Sequence, residues 1–174
     1  AGSVSGVSPI ATITMDTVAP NAAAAPVVAE AADGNINAAE AADGTVVEVS
    51  LAGTSAVAND KVTVTIDGTP TVYTLLPADI TAGKASVTIP KSVLDAAGQG
   101  AAAVTATITD AAGNVGASSP ATNIVLTTAA LPTPATPVAT DDVGQTKGTL
   151  ATGDVTDDTT PTFSGTGTAG NTVQ

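Results

Sequence analysis

The chain has 174 residues with four lysines against sixteen acidic residues, a formal charge of −12, and it contains no Cys, His, Trp or Arg and single copies of Tyr, Phe and Met. Imidazole and thiolate chemistry, guanidinium clamps and a disulfide framework are therefore excluded, and so strong a negative charge repels nucleic acid and anionic lipid. No apolar run approaches the roughly eighteen residues of a membrane-spanning helix, so membrane insertion is not expected.

In chain order, alternating apolar and polar residues predict short strands separated by turn residues. The first is Pro26 to Ala29. The Ala-rich stretch from Ala29 to Gly44 carries no apolar stripe and is broken by Gly34 and Asn35, which predicts an irregular loop. Thr45 to Leu51 then places Val47, Val49 and Leu51 on one face. Lys61 to Asp67 buries Val62, Val64 and Ile66, and Asp67-Gly68 marks a turn that Pro70 suggests is longer than two residues. Strands follow at Val72 to Leu76, Lys84 to Pro90, Ala102 to Asp110 and Ala121 to Thr127, with one helical turn expected over Lys91 to Gly98. Seven strands in about 110 residues predict an all-β, Greek-key immunoglobulin-like sandwich.

The opening residues return later in the chain. Ala1 to Ala19 aligns without a gap on Ala112 to Ala130, with eight identities in nineteen positions at an offset of 111, and Pro26-Val27 falls on Pro137-Val138 at the same offset. Recurrence over a domain's length is the mark of a tandem array. The expected organisation is the last strand of a preceding repeat at residues 1–15, a complete repeat at 16–128, and a linker with the first two strands of a following repeat at 129–174. Pro-bearing joints, Asp16 to Pro26 and Thr127 to Pro137, predict stiff rather than floppy linkage.

The segments Ile108 to Gly116, Asp16 to Pro20, Asp33 to Thr45 and Asp157 to Val173 together resemble the tandem immunoglobulin-like repeats of giant biofilm-associated, type I-secreted (RTX-type) bacterial adhesins. The resemblance implies a Ca²⁺-stiffened extender that projects a distal binding domain from the cell surface and supports adhesion and biofilm formation. Its partners would be neighbouring repeats of the same chain, and other copies in a fibre or biofilm matrix. One departure touches the metal chemistry: Asp16 is replaced by Thr127 at the next joint.

Calcium takes six to eight oxygens, supplied by carboxylates, amides and backbone carbonyls in loops. At the end where the chain comes in, the candidates are Asp16, Asn59, Asp60, Asp110 and Asn114. The alternative for Asp110 and Asn114 is simple turn formation. At the outgoing end a weaker set comprises Asp33, Asn35, Asn37 and Glu40, shared with Asp141 and Asp142 of the next repeat. Asp33-x-Asn-x-Asn is not an EF-hand, because Ala38 and Gly44 stand where the essential Gly and Glu belong. Asp157 and Asp158 fit loop ligands or solvated charges. No aromatic platform or cleft accompanies any carboxylate pair, so no catalytic residue is expected. Two other readings stay open: a repeat that itself binds glycan or a surface receptor, and an accessory domain of an extracellular enzyme.

Overall fold

The computed structural model describes residues 2–3, 5–130, 132–145 and 147–167. The last residues of the Asp157 to Val173 segment lie outside these. Two compact units are present, Ala1–Ala129 and Ala130–Gln174.

In the first unit, chain order gives β1 (Val27–Val28), a 3-10 turn (Ala29–Ala31), β2 (Asn35–Asn37), β3 (Thr45–Ser50), β4 (Lys61–Ile66), β5 (Thr69–Thr74), α1 (Pro77–Ala82), β6 (Lys84–Ile89), α2 (Lys91–Ala97), β7 (Gly100–Thr109) and β8 (Thr122–Thr127). Two sheets result, ordered β1-β3-β6 and β2-β8-β7-β4-β5. The chain crosses between sheets after β1, β2, β3, β5 and β6, and β8 returns beside β7, which is the Greek-key wiring of an immunoglobulin-like sandwich.

The cause is period-two burial. Val47, Val49, Val62, Val64, Ile66, Val87, Ile89, Val104, Ala106, Ile108, Ile124 and Leu126 are buried between the sheets, while Val46 and Val125 on the outer faces are exposed. The core is aliphatic throughout. Its one aromatic neighbour, Tyr73, lies at the margin and donates from its hydroxyl to Asp79 Oδ2 at 2.9 Å.

Three local expectations are corrected. The stretch from Ala29 to Gly44 is not wholly irregular: Asn35–Asn37 forms β2, which pairs in parallel with β8 through Asn35↔Val125, Ile36↔Leu126 and Asn37↔Thr127. Ile36, fully buried, anchors it. The fourth strand begins earlier than Val72. Thr69↔Ile66 and Pro70↔Thr65 are paired, so Asp67-Gly68 alone closes a two-residue hairpin, with φ of 45° and 86°. Pro70 is tolerated because β5 is an edge strand whose missing N–H faces away from β4. Finally, β5 ends at Thr74 rather than Leu76, and α1 fills the connection to β6, where no helix is expected. Pro77 sits at its first position, Asp79 Oδ2 accepts the Leu76 N–H at 2.8 Å, and Gly83 at φ 69° ends it.

The second unit holds β9 (Val138–Asp141), β10 (Gly148–Leu150) and β11 (Thr162–Ser164), in one antiparallel sheet ordered β10-β9-β11. It thus contains three strands rather than the two expected. Val27 opens β1 and Val138 opens β9, which preserves the 111-residue offset. Phe163 on β11 is 70% exposed.

Candidate metal centre at the incoming end

Between β3 and β4 the chain turns through Ser55 and Asn59, both at positive φ, and brings Asp60 into one pocket with Asp110, Ala111 and Ala112 at the start of the β7–β8 connection. Asp16, Val18, Pro20, Ser55, Val57, Asp60 and Asp110 line one pocket of about 350 Å³. The incoming linker forms one wall. Asn21 donates its backbone N–H to Thr54 O at 2.9 Å and its side-chain amide to Gly53 O at 3.0 Å, which ties that wall to the turn after β3.

Asp110 organises the opposite wall. Its Oδ1 accepts the Asn114 backbone N–H and its Oδ2 the Asn114 side-chain amide, both at 2.8 Å, while the same amide reaches the Asp16 carbonyl at 3.1 Å. The Asn114 side chain, opposed by partial desolvation and aided by the backbone N–H groups of Asn114, Gly113 and Ala112, holds the Asp110 carboxyl below the usual aspartate range. A depressed folded value adds stability above the unfolded pKa, and that stability is lost as pH falls through the folded value. Asp110→Asn is therefore expected to flatten the acid limb of the unfolding free energy below about pH 4. Denaturant titrations at stepped pH check this; parallel limbs for variant and wild type would contradict it.

Gly116 closes the wall. Its N–H donates to Ile108 O at 2.8 Å, and a Cβ there would collide with the Pro20 carbonyl and stand 3.1 Å from Ile108 O. Both obstacles are backbone. Gly116→Ala is expected to cost about 1–3 kcal/mol by forcing the linker off the loop, read as a lower urea midpoint; an unchanged midpoint would refute the contact's role.

Asp60 is the unusual member. The residue is 2% exposed; Oδ2 accepts the Val57 N–H at 2.9 Å, and Oδ1 is buried with no hydrogen-bond partner. An uncompensated buried carboxylate oxygen is costly unless a cation or donor meets it. The donor chemistry fits a hard cation: carboxylate oxygen from Asp60, with Asp16 and Asp110 on the same pocket. Asn59 does not line this pocket; its N–H is taken by Leu75 O at 2.9 Å. Among the described residues no group of three or more acidic side chains is already positioned around one point to hold a metal.

The outgoing set is divided. Asp33 Oδ1 accepts the Asn35 N–H, Glu40 Oε2 accepts the Asn37 N–H, and Asn37 Oδ1 accepts the N–H groups of Ala39 and Glu40, so these side chains shape the turns around β2. Asp141, in the second unit, is buried and accepts from Val143 N–H and from the Thr156 hydroxyl at 2.6 Å; the Asp142 N–H faces Asp158 Oδ2 at 3.5 Å. Asp158 Oδ1 accepts the Thr160 N–H at 2.7 Å.

Neither a protein-family model nor a curated protein matches the chain. Among solved structures the chain is similar to a bacterial immunoglobulin-like domain from the M. primoryensis ice-binding adhesin, at 30% identity over 61% of this chain and 97% of that one, with a TM-score of 0.39. It is also similar to part of a 1.5-MDa bacterial ice-binding adhesin described in terms of host cell surface retention, at 27% identity over 63% of this chain and TM-score 0.39. A third is a Ca²⁺-stabilized adhesin with which an Antarctic bacterium reaches out and binds ice, at 27% identity over 69% of this chain and TM-score 0.40. The chain spans only 33% and 27% of the latter two. By its own strand order, and by sequence identity across nearly the whole of one such domain, the complete unit belongs with the bacterial immunoglobulin-like domains.

Proposed function

We propose that the chain is a stretch of stalk from a secreted bacterial surface adhesin, in which immunoglobulin-like repeats, joined by Pro-bearing linkers and stiffened by Ca²⁺, hold a distal binding domain away from the cell. The carrying observation is the 111-residue recurrence around a sandwich that has neither His nor Cys. Residues 1–15 are then the last strand of a preceding repeat and 129–174 the start of a following one. Supporting this, Ile13 and Met15 are 84% and 81% exposed, whereas Ile124 and Leu126, at the same positions one repeat later, are 3% and 1% exposed. These are the side chains that a neighbouring sandwich would bury.

In this reading Ca²⁺ is held at the incoming end by Asp16, Asp60 and Asp110, with Asn114 holding Asp110 and the linker in place. Neutralising Asp60 there would couple the linker to both loops. The outgoing set of Asp33, Asn35, Asn37 and Glu40 is the weaker proposal, since its oxygens already serve local turns. Partners are neighbouring repeats and copies in a fibre or biofilm matrix, at the outer surface of the cell. Support for a non-enzymatic role comes from adhesin domains among the similar structures.

Isothermal calorimetry tests the site. Ca²⁺ is expected to bind with a dissociation constant on the order of 10⁻⁴ to 10⁻³ M, as in extracellular modules, and Asp60→Asn is expected to abolish that heat. Identical isotherms for wild type and variant would remove Asp60 from the site, and no heat in wild type would remove calcium from the account.

A further inference from the structure

At the far end of the sandwich, three side chains from different parts of the chain meet. Thr128, directly after β8, is 2% exposed. Its Oγ1 accepts the Gln99 amide Nε2–H at 2.9 Å and donates to Asp95 Oδ1 at 3.2 Å. Gln99 lies in the turn between α2 and β7; its Nε2 also faces Gly98 O at 3.3 Å, and its Oε1 accepts the Ala129 N–H at 3.1 Å. Asp95, on α2, is gripped by Lys91 Nζ at 2.7 Å from both carboxylate oxygens.

Each group stands in a role that acyl transfer requires. A buried hydroxyl donates to an ionised carboxylate, which is the arrangement of nucleophile and base. The same hydroxyl touches a carboxamide whose carbonyl oxygen is met by a backbone N–H, the arrangement that stabilises an oxyanion. Lys91 keeps Asp95 ionised, and so able to accept the proton. That lowered basicity also predicts a slow reaction, sufficient for an event that occurs once per molecule.

We propose that the domain cross-links itself through an ester between Thr128 and Gln99, with Asp95 as the base. Thr128 Oγ1 attacks Gln99 Cδ as its proton passes to Asp95; the oxygen of the tetrahedral adduct stays on the Ala129 N–H. The Cδ–Nε2 bond then breaks and Asp95 returns the proton to the departing nitrogen. One hydroxyl and one primary amide become one ester and ammonia, with no change of oxidation state and no external reactant. The Gln99 amide must turn to present its carbonyl face to Oγ1, and its exposed position on the turn permits this.

The bond would tie the exit from β8 to the start of β7, 29 residues earlier. If the stalk reading holds, load arriving from the following repeat would cross a covalent bond instead of a ladder of hydrogen bonds. The chemistry itself does not depend on that reading.

Mass spectrometry tests the proposal on the full chain. Intact wild type, aged at neutral pH, is expected to weigh about 17 Da less than its sequence through loss of ammonia. Asp110 is the one acidic residue between positions 99 and 128. Cleavage before aspartate should therefore leave the Gln99 and Thr128 peptides joined, and hydroxylamine should separate them. Thr128→Ser is expected to keep the link, while Asp95→Asn, whose far-UV spectrum reports folding, is expected to retain full mass. A gain of about 1 Da at Gln99 that disappears in Thr128→Val would be ester formed and then hydrolysed, which supports the proposal. Wild type at full mass with separable peptides, or the same gain persisting in Thr128→Val, would overturn it.

Discussion

Leu94→Ala is expected to destabilise the complete unit by about 2–5 kcal/mol, a large fraction of the 5–15 kcal/mol typical of a domain. Leu94 is fully buried in the aliphatic core and is the one buried residue of the seven-residue α2, which lies against β4 and β5. With no Trp and no Phe in the first unit, no large side chain stands ready to fill the void. Residual cavity volume then adds to the lost transfer energy. Exposed Ser92 on the same helix supplies the control, and Ser92→Ala should stay within about 0.5 kcal/mol of wild type. Denaturant midpoints decide the matter, and a Leu94→Ala midpoint equal to that of wild type would show that α2 does not seal the core.

The second large effect changes sign with calcium. In chelator, Asp60 holds a buried carboxylate oxygen without a partner, so Asp60→Asn, which keeps the shape and removes the charge, is expected to be as stable as wild type or more so. At Ca²⁺ one hundred times its dissociation constant, wild type gains about 2.7 kcal/mol that the variant does not. For a domain of about 100 residues each kcal/mol moves the melting midpoint by roughly 4–8 °C, so the two curves should cross with a separation of about 10 °C or more. A variant less stable by the same margin in both buffers would mean that Asp60 acts only through its hydrogen bond to Val57.

The long strands were legible because each buries one face: Val47, Val49, Val62, Val64, Val87, Ile108 and their neighbours alternate with outward residues, mostly Thr, Ser and Glu, over six or more residues. β2 was not, since Asn-Ile-Asn carries a single apolar residue and exists as a strand only because β8, some ninety residues away, offers a parallel edge. Its signal is tertiary. α1 left local marks in Pro77, Asp79 and Gly83, but a six-residue helix has too few turns for periodicity to appear. At the incoming end, Asp16, Asp60 and Asp110 could be gathered from loop order alone, whereas the unpartnered state of Asp60 Oδ1 is a property of packing. The trio of Asp95, Gln99 and Thr128 combines an ordinary helix carboxylate with a turn amide and a strand-end hydroxyl, and nothing in the linear order joins them.

The account rests on the cation as part of the fold, and thermal unfolding of the whole chain in Ca²⁺ at one hundred times its dissociation constant, about 10–100 mM, against excess chelator tests it most directly. The expected result is a wild-type midpoint that rises by about 10 °C or more with Ca²⁺, and an Asp60→Asn midpoint that does not move. Superimposable wild-type curves in the two buffers would contradict it.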